Sequence, residues 1–214
     1  MTIRFLTRTL LITLTLAFGR LSAQTTFTTS YQADTILQPS SITATPDGGT
    51  VVAALYRSAD SAGNRDSMLL RSENGAAAFE SAVLGRWHIS TCPMSTPALG
   101  EGPGHTLLAM WETQGQIYRR TFDASGLSAG RAAISTGGET GDQKHPAFAW
   151  SRPKADRLLV AWVEGSGWAK AGQLAWECID TRSGAKTLGR RDGVPAWSLP
   201  AVVPDADGGF TIIY

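Results

Sequence analysis

Cysteine is nearly absent from this chain, and the chemistries that need paired thiolates go with it. Only Cys92 and Cys178 occur in 214 residues. No Cys-x-x-Cys or His-x-x-x-His spacing exists to hold a zinc ion, so no metal site and no cofactor is expected. A disulfide stays open: Cys178 falls inside the strand-like run Leu174-Ala-Trp-Glu-Cys-Ile179, while Cys92 stands ahead of a strand. Charge is sparse too. Charged residues make up 17% of the chain, the net charge is +1, and no basic cluster exceeds the pairs Arg119-Arg120 and Arg190-Arg191. Without a basic face, neither nucleic acid nor an anionic membrane surface is an expected partner. Gly-rich stretches such as Ser135-Thr-Gly-Gly138 lack the Lys-Ser/Thr ending of a phosphate loop, and no strand–glycine–helix pattern of a dinucleotide fold occurs.

Long apolar runs are missing as well. The run Leu10-Leu-Ile-Thr-Leu-Thr-Leu-Ala-Phe18 would extend about 14 Å as a helix, half of a ~30 Å hydrocarbon core. It follows Arg4 and Arg8 and precedes Gly19-Arg-Leu-Ser-Ala23, the order of a signal peptide's charged, apolar and cleavage regions. Residues 1–23 are therefore expected to be a signal peptide. Residues 24–214 would then be a single secreted or periplasmic domain with no membrane span after cleavage.

What the chain does have is 23 glycines, 10 prolines, 7 tryptophans and short alternating apolar runs between turn signals, a pattern that points to an all-β protein. It also repeats. Ser41–Tyr56, Pro97–Trp111, Pro146–Trp162 and Pro200–Tyr214 each read as an apolar strand, a polar turn and a second apolar strand closing on an aromatic. The period of about fifty residues has room for the four strands of a propeller blade. Outer hairpins align as well: Met68–Gly75, Ile117–Gly126 and Leu174–Gly184 each alternate, then end in Asn or Asp followed by Gly, residues that close tight turns. Three blades are complete and a fourth stops at Tyr214. Residues 26–37 are placed to add a strand to it and close a four-bladed ring. A shortened relative of a larger propeller, and self-association through an open blade, are the alternatives.

The first outer hairpin carries a signature. Ser72-Glu-Asn74-Gly-Ala76-Ala-Ala-Phe79 resembles the Asp-box, or BNR repeat, of sialidase-like β-propellers, with Asn at the Asp position and Ala at the Gly position. Together with Trp87–Met94 and Lys144–Trp150, it is similar to secreted bacterial sialidase-like proteins of unassigned function, over roughly residues 39–214. The resemblance implies a sialidase-like propeller in which the Asp-box is a structural turn. It further implies that Leu55-Tyr-Arg57, with Asp60 and Asp66, corresponds to the stretch supplying one substrate-binding arginine. The Arg-Ile-Pro motif that begins the family's three-arginine carboxylate clamp is missing.

In a propeller, the segments leading into the innermost strands line one face. Here they are Gln38–Ser41, Thr91–Ser95, Asp142–His145 and Ala196–Leu199, and they place Met94, Lys144, His145 and Trp197 among the expected ligand-binding residues. His145 is also a candidate proton carrier, because a histidine pKa lies near neutrality. Arg57 and the Gly-loop residue Trp168 complete the set, since exposed indoles stack on sugar faces. Trp111 and Trp162 are expected to pack between blades. The acids available for glycoside hydrolysis are Asp60, Asp66, Glu112 and Glu164. Three functions stand open: a noncatalytic module recognising a carbohydrate or extracellular polymer, a divergent glycoside hydrolase, and a structural propeller binding proteins.

Overall fold

The computed structural model describes residues 36–44, 52–72, 79–91, 93–123, 126–127, 131–138, 142–167 and 169–214. The signal-peptide segment, most of the Asp-box-like string, Cys92 and Trp168 fall outside them. Among the described residues the regular structure is strand throughout, apart from one 3-10 turn at Pro103–His105.

β1 (Ile36–Ala44), β2 (Val52–Ser58), β3 (Ser67–Ser72) and β4 (Glu80–Gly85) form a first sheet, in chain order. β5 (Ala98–Gly102), β6 (Thr106–Thr113), β7 (Gln116–Phe122) and β8 (Ile134–Ser135) form a second. β9 (Gln143–Trp150), β10 (Arg157–Glu164), β11 (Gly172–Asp180) and β12 (Lys186–Val194) form a third. β13 (Ala201–Pro204) and β14 (Phe210–Ile213) make a two-stranded hairpin. Among the described residues every pairing is antiparallel, and no sheet closes into a barrel. The expected strands of each stanza are present, and the last sheet has two.

The second strands explain the continuous apolar runs. On β6, Leu107 and Ala109 pack with Ala53, Leu55 and Leu69 of the first sheet. Their neighbours Leu108 and Met110 pack with Leu158, Val160 and Trp162 of the third. Successive side chains on a strand point to opposite faces, so a strand covered on both sides needs apolar residues at every position. β10 does the same, sending Ala161 and Val163 towards Val202 and Ile212 of the hairpin. Trp111 and Trp162 are 1% and 0% exposed in these layers. Arg157 fastens the hairpin to the third sheet by donating to the Gly208 carbonyl and lying over the Phe210 ring.

The first strands follow one another, β1 beside β5, β5 beside β9 and β9 beside β13, so the sheets succeed each other like leaves with their opening strands together. One expectation changes here. Gln38–Ser41 is not a loop but part of β1, where Pro39 sits at an irregular register against β2. Ile36 and Leu37 belong to β1, and residues 26–35 of the expected closing strand lie outside the described residues. Among the described residues β14 pairs only with β13, and Val203 and Ile213 on the hairpin are 43% and 59% exposed. Cys178 on β11 is a half-buried free thiol.

Candidate functional site

A cleft of about 540 Å³ opens where the linkers between sheets meet the turns that end the second strands. Its first wall is the linker from β4 to β5, with Trp87, Ile89, Pro93 and Met94. That linker is pinned to the β2–β3 loop. The Trp87 amide donates to Asp66 Oδ1 at 3.1 Å, and its carbonyl accepts from the Arg65 amide at 2.7 Å.

The floor and second wall come from the β6–β7 turn. Thr113 pairs with Gln116, and both intervening residues, Gln114 and Gly115, have positive φ (56° and 74°), a type I′ hairpin. Glu112, 2% exposed, steadies it: Oε1 accepts the Gly115 amide at 2.7 Å and Oε2 is 3.2 Å from Arg57 Nη2. Burial pushes the Glu112 pKa up, against the lowering effects of the Gly115 N–H, Arg57 and Lys144.

The third wall is a β-bulge. Ala161 faces Ala147 and Val163 faces Lys144, so His145 and Pro146 together oppose the single residue Trp162. His145 takes φ 55° there, and both Lys144 and His145 line the cleft. The His145 amide donates to Ser95 Oγ at 3.0 Å, and the Thr96 amide donates to His145 Nδ1 at 3.3 Å. A ring whose Nδ1 accepts from a backbone N–H carries its proton on Nε2. Burial, with Lys144 nearby, brings the His145 pKa down to about 4, so the ring is a neutral hydrogen-bonding group at neutral pH. The proton-carrier role expected from an ordinary histidine pKa does not fit that environment. Lys144 Nζ donates to the Ser166 carbonyl at 2.9 Å, tying the bulge to the β10–β11 loop. Trp197, with φ 69° and 48% exposed, forms the lip.

Of the residues singled out in the sequence, Met94, Glu112, Lys144, His145 and Trp197 therefore come together. Arg57 does not line the cleft but lies behind it, 2% exposed. The other acids are elsewhere. Asp60 is exposed and accepts from the Asn64 amide and side chain (2.8 and 2.6 Å), which hold its pKa low. Asp66 carries Trp87. Glu164 Oε1 accepts from the Trp162 indole at 2.8 Å, and Oε2 lies 3.3 Å from Arg190. Trp168 is outside the described residues. Sequence reasoning missed Gln114 and Ser166, which line the cleft; the Gln-Gly step between two strands was the available signal for the first. One catalytic-looking string, Gly126-Leu-Ser-Ala-Gly130, matches a nucleophile elbow in spacing only. It joins β7 to β8 of a meander rather than a strand to a helix, and Ser128 lies outside the described residues. No group of three His, Cys, Asp or Glu side chains is placed to hold a metal ion among the described residues.

No protein-family model matches the chain, and no curated protein matches it. Among solved structures, the orthorhombic crystal form of an acylaminoacyl peptidase from Pyrococcus horikoshii overlaps 84% of this chain at 11% identity and a TM-score of 0.44. The chain spans 32% of that protein's length.

Proposed function

We propose that this chain is an exported, sialidase-like β-propeller module, three blades plus a partial fourth, that binds a saccharide of an extracellular glycan or polymer without turning it over. The regular meanders, their adjacent first strands and the cleft at one end of the sheets support the propeller reading. One observation carries the ligand reading. Two indoles, Trp87 and Trp197, share a cleft of about 540 Å³ with the hydrogen-bonding groups of Lys144, His145 and Thr91. That volume falls within the usual range for a small-molecule site, and a flat ring with polar edges is what such walls complement.

The glycosidase alternative has less behind it. Hydrolysis needs a pair of carboxyl groups flanking one bond. Of Asp60, Asp66, Glu112 and Glu164, only Glu112 reaches the cleft, and both its oxygens are engaged, which leaves Asp142 as the one other carboxyl group among the lining residues. The test is a glycan array with purified protein, then a glycosidase panel on every hit. The expected result is binding that falls on truncation of Trp87 or Trp197, with no product released. A blank array overturns the saccharide reading, and turnover overturns the noncatalytic one.

A further inference from the structure

Arg57 is charged, buried and absent from the cleft surface, yet it touches groups in two of the cleft's walls, Glu112 and the Trp87 ring. Nη2 donates to the Glu112 carbonyl at 2.7 Å and to Glu112 Oε2 at 3.2 Å. Nη1 donates to the Arg65 carbonyl at 3.0 Å, and the Arg65 amide in turn donates to the Trp87 carbonyl at 2.7 Å. The guanidinium carbon also stands 5.5 Å from the centroid of the Trp87 ring, within cation–π range. Glu112 passes the restraint onward to the Gly115 amide, at the tip of the β6–β7 turn.

We infer that Arg57 is a positioning residue: from behind the wall it sets the Trp87 indole and the Glu112-supported turn at a fixed distance, and so sets the width of the cleft. The planar fork suits this task, because its donors diverge in fixed directions and its face stacks on an aromatic ring. A lysine ammonium is a point donor on a flexible stem and cannot serve both carbonyls and the indole face in the same geometry. The sequence resemblance gives an arginine at this place a ligand to hold; the geometry gives it two walls instead. The inference rests on the saccharide reading for its consequence in binding, but not for its structural content.

The test uses the full chain with 5-fluorotryptophan at its seven tryptophans, read by fluorine NMR. The Trp87 and Trp197 resonances are assigned from Trp87→Phe and Trp197→Phe. The key variant is Arg57→Met with Glu112→Gln, which leaves no lone buried charge and keeps a side-chain acceptor for the Gly115 amide. The Trp87 resonance is expected to move by more than its linewidth, and the Trp197 resonance to stay in place. Arg57→Lys should move Trp87 in the same direction by a smaller amount. If the double variant fails to fold, Arg57→Lys alone decides. An unmoved Trp87 resonance in a folded variant overturns the inference. A moved resonance alongside a blank glycan array leaves the positioning role standing and removes only the saccharide reading.

Discussion

Gln143, the first residue of β9, is the most exacting test of the packing behind the cleft. It is fully buried, and its amide is a five-way junction. Oε1 accepts from Gln116 Nε2 (2.6 Å), the Ile117 amide (2.9 Å) and Thr136 Oγ1 (2.8 Å). Nε2 donates to the Gly137 carbonyl (2.8 Å) and Glu164 Oε1 (3.3 Å). Gln143→Leu keeps the volume and removes every bond. Glu164 retains its Trp162 donor, and Thr136 retains the Ile117 carbonyl as an acceptor. The Ile117 amide and Gly137 carbonyl lose what Gln143 supplied. A buried polar group left unmade costs about 1–3 kcal/mol, so the expected loss is about 2–6 kcal/mol. That should lower the thermal midpoint by roughly 4–24 °C at ~2–4 °C per kcal/mol for a domain of this size. Urea unfolding gives the number directly, provided the slope of stability against urea stays constant. Gln116→Met is the control: it removes one half-buried donor and should cost only about 0.5–1.5 kcal/mol. A loss below about 1 kcal/mol for Gln143→Leu, with the slope unchanged, would refute the claim that this amide organises the junction of the second and third sheets.

The histidine at the bulge makes a pH prediction. With its folded pKa at about 4 against an ordinary value near 6.5, protonation favours the unfolded chain. The stability contribution is therefore complete above about pH 6.5 and is lost as pH falls towards 4. His145→Asn tolerates the left-handed backbone and can still accept from Thr96, so stability measured at several pH values should fall less steeply on acidification; identical slopes sink the assignment. Gly189→Ala should cost about 1–3 kcal/mol by overpacking, because Gly189 pairs across from Trp176 and a Cβ there would run into the indole ring; a neutral result in denaturant unfolding would mean the ring moves freely. Trp197→Ala should change stability by less than about 0.5 kcal/mol, as surface substitutions do, while weakening binding to an array-positive saccharide about tenfold, or ~1.4 kcal/mol; equal affinity by titration calorimetry would remove Trp197 from the site.

The strand pattern was legible because each β-element carries its own period. Leu107–Trp111 and Leu158–Val163 announce themselves as unbroken apolar runs, since both faces of β6 and β10 are covered. The convergence of Met94, Lys144, His145 and Trp197 was legible from the repeat alone, since equivalent positions of repeated units share one end. The roles were not. Asp60 and Asp66 read as candidate catalysts because a carboxylate in a sequence looks the same whether it faces a substrate or a backbone amide; the structure has them accepting from Asn64 and Trp87. Arg57 looked like a ligand-binding residue for the same reason. Whether its fork points into a cleft or behind one depends on the Glu112 carbonyl 55 residues away, which no local pattern encodes.

Backbone strain explains why the cleft has the shape it has. Six non-glycine residues have positive φ among the described residues, and three of them, Gln114, His145 and Trp197, line this cleft. A side chain in that region costs about 1–2 kcal/mol relative to the right-handed one, and glycine would relieve it. Each of the three comes from a different device: a two-residue hairpin turn, a β-bulge and the turn before β13. Each device re-aims one side chain towards the same space. If the sheets needed only to be connected, glycine would serve better at all three positions. A large side chain at each is compatible with marginal stability only where the surrounding sheets hold the backbone firmly, as the Glu112–Gly115 and His145–Ser95 bonds do here. The strain and its restraints therefore belong to one construction, and the side chains it presents are the reason to look for a ligand at this end of the sheets.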